Sequence, residues 1–178
     1  TGQKGFDLLP DVLPVLLERE DLRLLVLGSG EERYVRFFQW LRDNYPSKVG
    51  FYSGYSEELA HQIEAGADLF LMPSRYEPCG LNQMYSQAYG TVPLVRATGG
   101  LTDTVNMWEP DTGKGDGFKF WEYSADALLS TLRHAIEVWR SPDDWSRLVT
   151  NGMAVDNSWA SRAERYDDLY RRILSESE

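Results

Sequence analysis

The 178-residue sequence has one cysteine, two histidines and a shortage of positive charge. With Cys79 alone, no internal disulfide and no cysteine-rich metal centre can form. His61 and His134 add too little to make a zinc site expected, and each falls within a helical pattern without a partner in sequence. Lys and Arg number 18 against 28 Asp and Glu, a net charge of −10 that disfavours nonspecific binding to nucleic acid or to an anionic membrane. No apolar run approaches the length of a membrane span. Internal repeats and low-complexity segments are missing too. What remains is an ordinary apolar share of 42%, with six Trp and ten Tyr, which argues for a packed core rather than disorder.

Hydrophobic periodicity divides the chain into alternating elements. Leu9, Val12, Leu13, Leu16 and Leu17 fall on one helical face, which predicts a helix over residues 6–19 that Pro14 should kink. Short apolar runs at 22–27, 49–52, 69–72, 93–96 and 118–120 read as strands. Between them fall a helix from Tyr34 to about Tyr45, one over 57–65 capped by Ser56, one from Gly80 to Gly90, and a short one through 102–105. In the Gly80 helix, Leu81, Met84, Tyr85 and Ala88 recur at helical spacing. Residues 111–117 read as a flexible loop. Three helices end the chain, with Ser124, Ser141-Pro142 and Ser158 at their starts. The first carries the stripe Leu128, Leu132, Ala135, Ile136 and Trp139. The last turns Trp159, Ala163, Tyr166, Tyr170 and Ile173 inward, and with Trp145 these aromatics read as core. The pattern predicts an α/β fold: a doubly wound parallel sheet, Rossmann-like, with a helical tail. It is read as a single domain, residues 1–140 forming the sheet-containing core and 141–178 the C-terminal helices.

The stretch from Asp68 to Leu94 concentrates the chemistry. A strand ends at Pro73, Arg75 and Glu77 occupy a polar loop, and a helix begins near Gly80. A carboxylate, a guanidinium and a helix N-terminus therefore meet at a strand's C-terminal end, where open α/β sheets bind ligands. Free N–H groups at such a terminus favour a phosphate, so Gly80 and Leu81 would donate through the backbone and Asn82 through its side chain. From the local pattern alone, Glu77 could equally cap that helix. Gly28-Ser29-Gly30 lacks the third glycine of a dinucleotide fingerprint and either makes room beside a nucleotide or turns the chain. Tyr55 follows a strand and is either core or a stacking platform.

Arg75-Tyr76-Glu77-Pro78-Cys79-Gly80-Leu81 resembles the donor-site loop of bacterial glycogen synthases and plant starch synthases. Lys4-Gly5 and Thr98-Gly99-Gly100-Leu101 match two further motifs of that family, in the same order. Tyr85 stands where many related glycosyltransferases have a second Glu, as it does in the glycogen and starch synthases themselves. The resemblance covers nearly the whole chain and only the second half of such an enzyme. It implies the C-terminal, donor-binding domain of a GT-B glycosyltransferase, with the N-terminal acceptor domain outside this chain. The implied reaction is retaining transfer of glucose from ADP-glucose or UDP-glucose to the non-reducing end of an α-1,4-glucan. The resemblance makes Glu77 and Lys4 catalytic. Tyr55, Arg75, Cys79, Gly80, Leu81, Asn82, Thr98, Gly99, Gly100 and Gly28 become donor-binding, with Tyr55 on the adenine and Lys4 on the diphosphate. It implies no metal or other cofactor, ADP or ADP-glucose as ligand, and a bacterial cytoplasmic or plastid stromal location. A different donor or acceptor on the same fold, and a non-catalytic nucleotide-binding module, remain the alternatives. Because Thr1 is not Met and a motif begins at Lys4, a piece of a longer enzyme is expected, with a partnering Arg upstream.

Overall fold

The computed structural model describes residues 2–175. Two 3-10 turns, Gly2–Lys4 and Phe6–Leu8, lead into α1 (Leu9–Arg19). Then come β1 (Leu24–Gly28), α2 (Glu32–Asn44), β2 (Val49–Ser53), α3 (Glu57–Gly66), β3 (Leu69–Met72) and α4 (Asn82–Tyr89). The rest is β4 (Val92–Arg96), α5 (Gly100–Thr104), β5 (Phe118–Phe120), α6 (Ala125–Trp139), α7 (Pro142–Met153) and α8 (Trp159–Ser175). Every strand pairing is parallel and helices flank the strands, so the α/β, Rossmann-like class holds.

The five strands form two sheets rather than one: β1 with β2, and β3–β4–β5 in that order.

The five α1 residues expected to face inward are all buried. Each such side chain contributes roughly 1.5–3 kcal/mol on burial. They join Phe118, Phe120, Leu128, Leu132 and Leu148 in the main core. Pro14 lies inside α1, which nevertheless runs on to Arg19. Ser56 and Ser124 cap α3 and α6 as read, accepting from the N–H groups of Leu59 and Ala127.

Four expectations are corrected. α4 buries Gln83, Ser86 and Gln87, while Leu81 and Tyr85 are exposed. The buried face is polar because each of its side chains finds a partner: Gln83 in Thr104, Ser86 in Glu64, Gln87 in Asp116. Residues 111–117 are not a loose loop. The buried Asp116 carboxylate accepts from Asn106 N, Asn106 Nδ2 and Gln87 Nε2, and Asn151 Nδ2 donates to the Gly113 and Gly115 carbonyls. The stripe of α8 faces outward, with Trp159 82% exposed and Tyr166, Tyr170 and Ile173 at least half exposed. Periodicity creates an apolar stripe without saying what covers it. Trp145 keeps its expected place, stacked on Phe118 with ring centroids 6.5 Å apart, whereas Trp139 is exposed and Val138 takes the inward position on α6.

Candidate functional site

Beyond β3, the chain turns inward at Pro73 and Ser74, and the Glu77 side chain follows it, leaving the residue 8% exposed. A buried carboxylate needs partners. Lys4 Nζ donates to Glu77 Oε2 at 2.6 Å, and Ser74 Oγ donates to the same oxygen at 3.2 Å. Lys4 is brought there by main-chain pairing, since Arg75 N donates to Gln3 O at 2.8 Å and Gln3 Nε2 donates to Tyr76 O at 3.3 Å. The two residues singled out as catalytic thus form an ion pair, with the lysine half in solvent.

The second motif loop locks onto the first. Gly100 N donates to Glu77 O at 3.2 Å and to Pro78 O at 3.1 Å. Gly99 has φ +50, and a Cβ there would lie 2.1 Å from Glu77 O, so only glycine permits the approach. Thr98, Gly99 and Gly100 therefore sit directly behind the backbone that presents Glu77. The turn through Cys79, Gly80, Leu81 and Asn82 then opens α4, whose first N–H groups have no acceptor within the helix. Cys79 is exposed.

Arg75 lies in the same loop but points another way. Its Nη2 donates to Asp7 Oδ2 at 3.1 Å, and its guanidinium lies 4.4 Å from the Tyr123 ring centroid. Tyr123 OH donates to Asp7 Oδ1 at 2.6 Å, and Arg96 Nη1 donates to Arg75 O at 2.7 Å. Burial pushes the Asp7 carboxyl up, but hydrogen bonds from Tyr123, the backbone and Arg75 outweigh it and hold the group below the ordinary carboxylate value. Burial, with the bond to Asp7, pushes the Tyr123 phenol up. This cluster ties the segment carrying Lys4 to the loop carrying Glu77 and to the turn after β5.

Gly28 ends β1, and its carbonyl accepts from Gly54 N at 3.1 Å, which draws the turns after β1 and β2 together. Gly28, Ser29 and Gly30 share a shallow recess with Phe6, which packs edge-on against Tyr34 and Phe38. Tyr55 stands in the turn after β2, the residue 84% exposed. The structure thus brings Lys4, Glu77 and the backbone of residues 79–82 and 98–100 together. Arg75 turns toward Asp7, and Tyr55 projects from the other sheet. Sequence reasoning missed Ser74, Asp7, Tyr123, Gln83 and Thr104. The available signal was polar residues at inward helical positions, Gln83 and Gln87 four apart. Among the described residues no group of three or more His, Cys, Asp or Glu side chains converges as a metal site would require.

The parallel strands with flanking helices agree with the comparisons with known proteins. Residues 1–150 match the family model described as glycosyl transferases group 1, and the chain belongs to that family. Within it, the resemblance to glycogen and starch synthases holds. The chain is 48% identical over 174 residues to a glycogen synthase of Bacillus cereus (strain ATCC 10987 / NRS 248), covering 98% of this chain and 36% of that protein. A glycogen synthase of Anaeromyxobacter sp. (strain K) is 53% identical over 171 residues, 96% of this chain and 36% of that protein. Among solved structures, the catalytic domain of starch synthase IV from Arabidopsis thaliana, bound to ADP and acarbose, matches with a TM-score of 0.85 and 34% identity. That match covers 98% of this chain and 37% of the other. The chain spans about a third of the length of the relatives it matches. Its fold is the Rossmann-like C-terminal kind of a GT-B glycosyltransferase.

Proposed function

We propose that this chain is the donor-binding domain of a retaining glucosyltransferase of the glycogen synthase type, acting on ADP-glucose and extending an α-1,4-glucan at its non-reducing end. The observation that carries the reading is the Lys4–Glu77 pair at the end of β3, beside the open N-terminus of α4. A cation and N–H donors suit a diphosphate, and a carboxylate suits sugar hydroxyls. The ADP bound to the starch synthase IV neighbour supports an adenine nucleotide.

The anomeric C–O bond breaks with its electron pair on the diphosphate oxygen. Lys4 and the N–H groups of Gly80 and Leu81, with the Asn82 side chain, stabilise that charge where it develops. Glu77 orients the glucose and offsets positive charge on its ring. The acceptor's 4-hydroxyl bonds to the same face, and its proton passes to the departing phosphate. The protein forms no covalent bond, and the scheme calls for no metal or other cofactor. Tyr55 stacks on the adenine, Gly28 leaves room for the nucleotide, Thr98, Gly99 and Gly100 line the phosphate side, and Cys79 lies beside the donor. Arg75 serves the donor site through Asp7 and Tyr123, which hold the Lys4 segment against the loop. The glucan is held by the part of the enzyme outside this chain, a cytoplasmic protein in a bacterium or a stromal one in a plastid.

Calorimetry with ADP and UDP, and a radiolabelled glucose-transfer assay, test this. The chain should bind ADP weakly and transfer nothing, because the acceptor must be held against the sugar for the reaction to proceed. UDP binding as tight as ADP would move the donor to UDP-glucose. Glucan elongation by this chain, or no ADP binding at millimolar concentration, would overturn the reading.

A further inference from the structure

We infer that Gln83 is the positioning residue of the diphosphate cradle: its side-chain amide turns the Cys79 and Gly80 carbonyls inward, so that the N–H groups of Gly80 and Leu81 face the ligand. The inference rests on the donor-site reading above and assigns a role to a residue that touches neither substrate nor solvent.

Gln83 lies in the first turn of α4 and is 0% exposed. Its Nε2 donates to Gly80 O at 3.0 Å, to Cys79 O at 3.3 Å and to Thr104 Oγ1 at 2.9 Å. Thr104 Oγ1 spends its own proton on Gly100 O, at 2.7 Å, and so can only accept from the glutamine. That fixes which end of the amide faces the carbonyls. The opposite orientation would set Oε1 against three oxygens.

The peptide plane carries the effect to the ligand side. In a trans peptide the C=O and the following N–H point in opposite directions. Holding the Cys79 carbonyl inward therefore aims the Gly80 N–H outward, and holding the Gly80 carbonyl inward does the same for Leu81. Among the described residues neither N–H donates to a backbone carbonyl. Gly80 itself has φ +74, a conformation that strains any side chain, and a Cβ there would lie 2.6 Å from Gln83 Oε1 and push on the glutamine. Among the described residues Gln83 Oε1 is buried with no hydrogen-bond partner. Leaving such an acceptor unpaired is costly, and the cost is tolerated where the donor end of the same amide holds the turn.

The support runs deeper. Gln87, one turn on, donates to Asp116 Oδ1 at 3.0 Å and to Thr104 O at 3.4 Å, and Asp116 is held in turn by Asn106. The Thr104 hydroxyl thus joins the residue 79–82 turn to the residue 98–100 loop.

The test compares ADP with AMP on the 178-residue chain by calorimetry, with thermal melting alongside. AMP lacks the distal phosphate, so an effect confined to the cradle separates the two ligands. Gln83→Met keeps length and volume while removing the donors. It should weaken ADP binding about tenfold and leave AMP binding within about twofold. Thr104→Val should do the same more mildly, and Thr104→Ser, which keeps the hydroxyl, should restore ADP binding. If Gln83→Met does not fold, the Thr104 pair decides the question. Equal loss of ADP and AMP, or no loss of either, would overturn the positioning role. A wild-type chain that binds ADP no better than AMP would instead overturn the donor-site reading.

Discussion

Lys4 Nζ lies 2.6 Å from Glu77 Oε2, although the two residues are 73 positions apart. The chain is folded so that one cation and one carboxylate meet at a strand end, and the carboxylate is the more buried of the two. With Lys4 half in solvent, neutralising the carboxylate leaves the cation hydrated rather than buried and unpaired, the case that would be costly.

Glu77→Gln keeps the shape and a hydrogen-bonding end. In the full-length enzyme it should cut turnover by about two orders of magnitude or more. The melting temperature of the chain should shift by no more than about 2–4 °C. Steady-state kinetics and thermal melting read the two effects, and near-normal turnover would remove Glu77 from the chemistry.

Cys79 is exposed next to the turn that opens α4. If ADP occupies that turn, it should cover the thiol. Alkylation by a small reagent, followed by mass spectrometry, should slow as ADP is added. A rate indifferent to saturating ADP would place the nucleotide elsewhere.

The Asp7 carboxyl has a folded value below its ordinary one. A depressed acid contributes stability above the unfolded value and loses it as pH falls through the folded value. Thermal melts should therefore lose this contribution on the acid side, below about pH 4. Asp7→Asn should flatten that slope. Tyr123→Phe, which removes the hydroxyl donor but keeps the ring beneath Arg75, should cost about 0.5–1.5 kcal/mol at neutral pH. A slope unchanged by Asp7→Asn would mean that other carboxylates dominate the acid limb.

Glu64 has the opposite sign. Burial pushes its carboxyl up, against a weaker opposing hydrogen bond from Ser86 and the charge of His61. A raised acid contributes its stability below the unfolded value and loses it as pH rises through the folded one. Glu64→Gln, still able to accept from Ser86 Oγ, should raise the neutral-pH melting temperature by about 2–4 °C, with the gain fading in acid. A variant less stable than the parent at neutral pH would show that the charged form is the better fit.

Local chemistry made much of the fold legible. The strand at 69–72 and the strand at 118–120 have the bounds their apolar runs imply, and α1 buries the stripe that its spacing draws. Glu77 and the glycines of residues 98–100 were expected in turns after strands and lie there, and Lys4, expected beside a diphosphate, pairs with Glu77. The inward face of α4 was not, because a hydropathy pattern cannot register that Gln83 and Gln87 will be satisfied by Thr104 and Asp116. Asp7 and Tyr123 escaped for a related reason, being 116 positions apart. Arg75 reads as a ligand contact from its neighbours in sequence, and its contacts with Asp7 and Tyr123, both far from it along the chain, could not be read there.

The division of the strands into two sheets bears on how the chain behaves when concentrated. Among the described residues β1 pairs only with β2, and β3 only with β4. Each therefore keeps one open edge, on strands that carry apolar side chains such as Val26, Leu27, Phe70 and Leu71. An open edge of that kind is a template for recruiting another extended segment. Those rows of N–H and C=O groups would accept an extended segment of a neighbouring molecule. Solubility should then be limited by main-chain pairing rather than by charge, since the net charge of −10 opposes association of the folded surfaces. Adding salt to screen that repulsion should bring on β-rich aggregates before any loss of helix.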